Sequence, residues 1–311
     1  MPDLLSFSPD GVQFAWDATS LSNYVRCPRY YQYVNLEGWQ PNATSPHLIF
    51  GGLFASALEH YFKHLAEGDD TETALRRVVH TALINSWEYE RDEDGSAIPG
   101  TGQPWDSFHN TKTRATLIRS IVWYFEHFED DPTETIILAN GAPAVELSFS
   151  LPVEDGIIFC GHLDRLVDYG GPYVMDQKTT GSTITPRFFD GFSPDMQMSM
   201  YAFAGKAVFG IPVQGVIIDA AQIAVGFTRF ERGFIHRPQP VLEEWYENTM
   251  HIIASARHAT EENFFPMNPA SCGNYGGCQF RKICSRSPEH RNNFLRADFH
   301  RTERWDPLKR R

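Results

Sequence analysis

The sequence predicts a mixed α/β domain, on three observations. Apolar residues recur at helical spacing between about residues 48 and 129. Short β-rich runs broken by Gly, Pro and Asp follow from about residue 144, and helix and strand then alternate to about residue 263. A chain of 311 residues, 42% hydrophobic and 21% charged, can bury a large core and is neither disordered nor fibrous. We read residues 1–311 as one domain. No apolar run reaches the ~18 residues that span a bilayer. The opening "MPDLLSFSPDGVQF" lacks a basic segment followed by an apolar one, so a cytoplasmic location with reduced thiols is expected.

The elements follow in order. "LSNYVRCPRYYQYVN" (21–35) reads as a short tyrosine-rich helix with Cys27-Pro28 in it or at its edge, within an N-terminal segment 20–47. A helical part, 48–143, begins with "LIFGGLFASALEHYFKHLAEG" (48–68) and continues with helices at 71–89 and 111–129. In the last of these, Leu117, Ile118, Ile121, Val122 and Phe125 share one apolar face. Residues 144–239 hold the β-rich part: "AVELSFSLPV", "GIIFCGHLDRLVDYG" and "PYVMDQKTT", then a crossover helix at about 186–209. Next come the buried-looking strand "GVIIDAAQI" (215–223) and the alternating strand "GFTRFERGFI" (226–235). A long helix, about 240–263, leads into a cysteine segment and a basic tail that complete residues 240–311.

Charge is unevenly spread. The net is −12, yet residues 276–311 carry ten Lys/Arg against four Asp/Glu, a net of +6 that leaves −18 for the rest. Much of the negative charge lies in "EYERDEDG" (88–95), "AEGDD" (66–70) and "FEDDP" (128–132), which read as solvated loops and helix ends. A nucleic-acid partner is therefore compatible only with a local path over the protein.

The chemistry concentrates in "CGHLDRLVDYGGPYVMDQKTTG" (160–181). Asp164 falls on one strand, and Asp176 and Lys178 on the next after a Gly-Gly turn. Strand side chains alternate, so Asp176 and Lys178 point to the same face, with Asp164 across from them. Two converging carboxylates make a hard-oxygen site for Mg²⁺ or Mn²⁺. A lysine beside them can position or deprotonate water and offset charge developing on a phosphate. The same residues also read as a surface hairpin, because D-x-K by itself is common. Their apolar neighbours argue against that, since ionised groups so placed are expensive without a shared cation.

This stretch resembles the active-site hairpin of the PD-(D/E)XK nuclease superfamily, in particular its RecB-like branch. "QMSMYAFAGKAVFG" is similar to that branch's Q-x3-Y motif, with Gln197 and Tyr201 four apart on one helix face. "SLSNYVRCPRYYQY" resembles its N-terminal segment, and the matches together run over roughly residues 20–285. The resemblance implies a restriction-endonuclease-like central mixed sheet flanked by helices, with a helical insertion and a C-terminal cysteine metal knot. It implies Asp164, Asp176 and the Gln177 carbonyl as metal ligands, Lys178 as base or electrostatic stabiliser, and Gln197 and Tyr201 as orienting groups. One position departs. Where the branch has a histidine four residues after a helix glycine, this chain has Ala55 or Ser56. Glu59 is the expected substitute ligand, with His60 as the other candidate. His60 and His64 also make an H-x3-H pair that lacks a third zinc ligand nearby.

Cys272, Cys278 and Cys284 stand with five residues between each, without the close C-x2-C pair usual for zinc. Cys27 is the candidate fourth thiol, and Cys160 reads as a small buried core residue. One remote N-terminal cysteine with a C-terminal trio resembles the iron–sulfur arrangement of AddB-type and CRISPR-adaptation nucleases. That resemblance implies a structural [4Fe–4S] cluster, with four-cysteine zinc the alternative. The tail, "QFRKICSRSPEHR" to the terminal "KRR", reads either as a DNA-guiding surface or as a solubilising one.

The expected function is a metal-dependent DNA exonuclease acting on ends or single strands in recombination, repair or phage DNA processing. A structure-selective endonuclease and a non-catalytic DNA-binding subunit that keeps the fold are the alternatives. No G-x4-G-K-[ST] motif supplies a motor, so processive work on duplex would require a partner such as a helicase or annealing protein. No G-x-S-x-G elbow supports a serine hydrolase.

Overall fold

The computed structural model describes residues 5–42, 45–90, 92, 96, 98–105 and 109–309. Residues 91 and 93–95 of the charge run at 88–95 and the last two residues of the basic tail lie outside these. Seven strands form one mixed sheet: β1 (Ala15–Trp16), β2 (Glu134–Thr135), β3 (Val145–Pro152), β4 (Ile158–Asp168), β5 (Pro172–Thr180), β6 (Gly215–Ile223) and β7 (Thr228–His236). The main path runs β1-β4-β5-β6-β7, and β2 and β3 also pair with β4. β4 and β5 form an antiparallel hairpin, β5 and β6 are parallel, and β6 and β7 are antiparallel. The fold class expected from the sequence is the one found.

Helices cover both faces. On one side α1 (Ala18–Arg26), α5 (Met196–Ala207) and α6 (Gln239–Glu261) bury Trp16, Phe159, Leu163, Val174, Val216 and Ile218. On the other, α2 (Pro46–Ala66), α3 (Thr71–Asn85) and α4 (Arg114–His127) pack over Ala221, Ile223 and Phe230. β6 is buried at all nine positions because its two faces serve these two cores. The helical part of the chain is thus a full layer of the fold, and α2 reaches the site described below.

Caps set the helix boundaries. The side chains of Asp17, Asp70, Thr113 and Asp195 accept hydrogen bonds from the backbone N–H groups of Ser20, Thr73, Thr116 and Met198. The expected crossover helix is in fact two pieces, Pro186–Asp190 and α5. Pro194 lacks an N–H to continue the first, and Asp195 caps the second. The buried face of α4 is turned slightly from the expected one. Leu117, Ile121, Tyr124 and Phe125 are buried, while Ile118 and Val122 are only half-buried. The tyrosine-rich segment breaks at Cys27, whose extended backbone ends α1 before the turn Pro28–Tyr31 and a π-helical turn, Gln32–Leu36.

Two pairings had no signal in the sequence. β1 lies parallel to the start of β4, and Phe299–Arg301 pairs with Trp39–Pro41, laying the C-terminal segment on the N-terminal one.

Candidate active site

The register of β4 creates the site. β3 pairs along one edge of β4 from Ile158 to Arg165, so β1 and β5 must share the opposite edge. There β1 takes Ile158 and Phe159, and β5 takes Arg165 to Asp168. Residues 160–164 have no strand partner on that edge, and β5 parts from β4 beyond Met175. The two strands therefore open into a fork at Asp164 and Asp176. Leu163 and Leu166 join the same core although three residues apart, so the strand turns between them. Arg165 is directed to the other side, its guanidinium 3.5 Å from the Phe62 ring of α2.

Asp164, Asp176, Gln177, Lys178, Gln197 and Tyr201 all line one cleft of about 700 Å³. The Gln177 N–H donates to Asp164 Oδ2 at 2.9 Å, tying the two arms of the fork together. Lys178 Nζ lies 2.5 Å from Asp176 Oδ2 and donates to Gln197 Oε1 at 3.1 Å. Gln197 Nε2 in turn donates to the Tyr201 hydroxyl at 2.8 Å. One turn of α5 brings Gln197 and Tyr201 together, and their chain of bonds fixes the ammonium against Asp176.

The electrostatics are those of carboxylates short of positive charge. Burial, and then the adjacent Asp176, push Asp164 up to about 7. Burial also raises Asp176, which is 1% exposed, and Lys178 opposes that rise. Burial works to lower the Lys178 ammonium, but the Asp176 carboxylate outweighs it and holds the lysine above its usual value. Carboxylates crowded in this way are poised for a cation.

The opposite wall is α2. Glu59 lines the cleft, where it pairs with Lys63 at 2.5 Å. His60 does not line it. Its Nδ1 lies 2.6 Å from the Ser56 carbonyl, and its ring borders a separate small cavity beside α3. His64 faces Glu67 and Asp69 and has no part in the cleft. The structure also brings in a carboxylate that the sequence reading passed over, Glu146. It stands where the β3–β4 ladder skips a pair, between Val145↔Arg165 and Leu147↔Leu163, directly across from Asp164. Its backbone is left-handed, with φ 51°, and it lines the cleft. A signal existed: "AVELSF" sets an acid among apolar strand residues, as "GHLDRL" does for Asp164.

Cys27, Cys272, Cys278 and Cys284 line one cavity of about 320 Å³, together with Arg26, Arg29 and Tyr30. They gather although Cys27 and Cys272 are 245 positions apart in the chain, because Asn268 and Ser271 anchor the C-terminal loop to the Arg26 carbonyl. The Asn268 N–H also donates to Cys27 Sγ at 3.3 Å. The expected metal knot is nevertheless not a formed metal-binding group. Among the described residues, no three His, Cys, Asp or Glu are arranged to hold a metal ion. The four thiols border one cavity. Cys160 is buried beside Ala15 and Ile158, and burial pushes its thiol well up. In the basic tail, arginines are bound to the fold. Arg291 donates to the Cys284 and Arg286 carbonyls, Arg301 to Glu37 and Arg304 to Leu36.

Residues 15–285 match the model of a family described as the PD-(D/E)XK nuclease superfamily. No curated protein matches the chain. Among solved structures, a candidate exonuclease from Eubacterium rectale is 12% identical, with a TM-score of 0.48 over 84% of this chain and 86% of that one. The protein SSO0001 is 13% identical, with a TM-score of 0.29 over 77% and 76%. Both likenesses are too slight to carry function.

Proposed function

From the premise that this chain belongs to the PD-(D/E)XK nuclease superfamily, we propose that it is a divalent-cation-dependent DNA exonuclease of the RecB-like type. It acts on DNA ends or single strands during recombination, repair or phage DNA processing. The observation that carries the reading is the fork itself. A buried Asp176 stands 2.5 Å from Lys178, with Asp164 on the facing strand and the Gln197–Tyr201 pair behind the lysine.

In this reading Asp164, Asp176 and the Gln177 carbonyl would hold Mg²⁺ or Mn²⁺, with Glu59 and Glu146 as further oxygen donors lining the same cleft. The donor set fits, being hard oxygen throughout. A bound divalent cation supplies charge to the phosphoryl oxygens and acidifies a water. Lys178 holds the attacking water or offsets the developing phosphorane charge from the side of Asp176. Gln197 keeps the ammonium in place, and Tyr201 keeps Gln197 in its rotamer. The buried floor of the fork limits bulk water around the reacting phosphate.

The four cysteines hold a [4Fe–4S] cluster in the same proposal. Zinc draws its sulfurs to ~2.3 Å from one centre, whereas a cluster is held at its corners. The observation that supports a shared group is that all four cysteines border one cavity of about 320 Å³. Its role is to staple the N-terminal segment to the C-terminal loop. A partner helicase or annealing protein would present strands on duplex DNA, since the chain carries no motor motif.

The test is cleavage of end-labelled single- and double-stranded DNA with Mn²⁺, with Mg²⁺ and with EDTA, beside Lys178→Ala. Cation-dependent cleavage that drops by roughly 10² to 10⁴ in the variant is expected, with products released from an end. Closed circular DNA cut as fast as linear DNA would replace the exonuclease with an endonuclease. No cleavage by the cation-loaded parent would leave a DNA-binding subunit.

A further inference from the structure

Two consecutive glycines, Gly51 and Gly52, sit inside the 21-residue helix α2. Glycine is among the poorest helix formers, so an interior pair needs a reason. Backbone conformation does not provide one, as neither residue has a positive φ. Packing does not either. A methyl group at Gly52 would meet no atom within 4 Å, and one at Gly51 would meet Thr179 Oγ1 at 3.4 Å, an ordinary contact. Alanine would fit at both places in the protein alone.

Both glycines line the catalytic cleft, and Gly51 faces Thr179, the residue after Lys178. Further along the same wall come Ala55, Ser56 and Glu59. Gly52 lies seven residues before Glu59, which is two turns or ~10 Å of helix. The wall carries no side chain at Gly51 and Gly52, between Leu48 on one side and Ala55 and Ser56 on the other, and its next charged side chain is Glu59. The cleft between the two walls holds about 700 Å³, room for roughly one or two nucleotides.

We propose that Gly51 and Gly52 form the surface against which the sugar–phosphate backbone of a single strand runs, and that they determine the substrate width of the cleft. The inference rests on the nuclease reading and adds the substrate class: one unpaired strand in close contact with the α2 backbone. A side chain at residue 52 would project into the strand's path without disturbing the core. The glycines are thus specificity-determining residues, retained against helix propensity because a ligand backbone must approach closely.

Gly52→Leu and Gly52→Ala test this. The substrates are a single-stranded oligonucleotide and the p-nitrophenyl ester of thymidine 5′-monophosphate, a phosphodiester too small to reach along the wall. With Mn²⁺ present, Gly52→Leu is expected to lower kcat/KM for the oligonucleotide by about tenfold or more relative to the small diester, with Gly52→Ala in between. Binding of a fluorescent oligonucleotide in Ca²⁺ should weaken in the same order. Both variants should melt no lower than the parent, because leucine and alanine are better helix formers. Equal loss on both substrates, or no loss on either, would overturn the proposal. A parent protein that neither cleaves nor binds any strand would sink the nuclease reading, and this inference with it.

Discussion

Replacing Asp164 by asparagine should stabilise the cation-free protein while destroying its cation site. The side chain keeps its shape, and its carbonyl oxygen can still accept from the Gln177 N–H. What it loses is a charge held in a poor place. Burial and Asp176 raise Asp164 from 3.8 to about 7. A carboxyl group raised on folding contributes stability that is fully present below its unfolded value and lost as pH rises through its folded value. For a shift of about three units the loss has an upper limit of ~4 kcal/mol, part of it shared with Asp176. The parent without cation should therefore weaken between about pH 4 and pH 7, and Asp164→Asn should flatten that slope. Urea unfolding in EDTA at pH 4, 6 and 8 measures the effect. We expect near-equal stability at pH 4 and a gain of roughly 2–4 kcal/mol for the variant at pH 8. Calorimetry with Mn²⁺ should show its binding weakened by at least about tenfold. A variant that is less stable than the parent at pH 8, or that binds Mn²⁺ equally well, would refute the assignment of Asp164 as a strained cation ligand.

Two further outcomes follow from the same geometry. Glu59→Gln should weaken Mn²⁺ binding measurably, while His60→Gln should leave it within about twofold, because only Glu59 lines the cleft. Isothermal titration separates the two, and equal losses would return His60 to the site. Cys27→Ser should strip the iron from anaerobically purified protein and remove its visible absorbance, since one corner of the proposed cluster goes with that thiol. Iron content equal to the parent's, or stoichiometric zinc in the parent, would reject the cluster.

Much of the site was legible because local rules govern it. Strand alternation places Asp176 and Lys178 on one face, and helical periodicity places Gln197 four residues before Tyr201. The structure keeps both juxtapositions, in the 2.5 Å contact of Lys178 with Asp176 and the 2.8 Å bond of Gln197 to Tyr201. Helix boundaries were less accurate where capping decides them. Thr113 and Asp195 start α4 and α5 later than hydrophobic periodicity alone would. Glu146 escaped notice because its significance lies in a left-handed backbone and a skipped rung, both consequences of how β3 meets β4.

By itself, then, the sequence determined the mixed α/β class, the hairpin that bears the two aspartates and the lysine, and the helix that supports the lysine. Each follows from periodicities of two or 3.6 residues that act over a few positions. Only the tertiary structure decided the rest. The fork between β4 and β5 depends on β1 and β5 sharing one strand edge, and the placement of Glu59 in the cleft with His60 outside it depends on how α2 is rotated against the sheet. The gathering of Cys27 with the three distant cysteines depends on Asn268 and Ser271 reaching the end of α1. These are contacts between segments remote in the chain, set by packing and hydrogen-bond satisfaction across the whole domain. No local pattern encodes them.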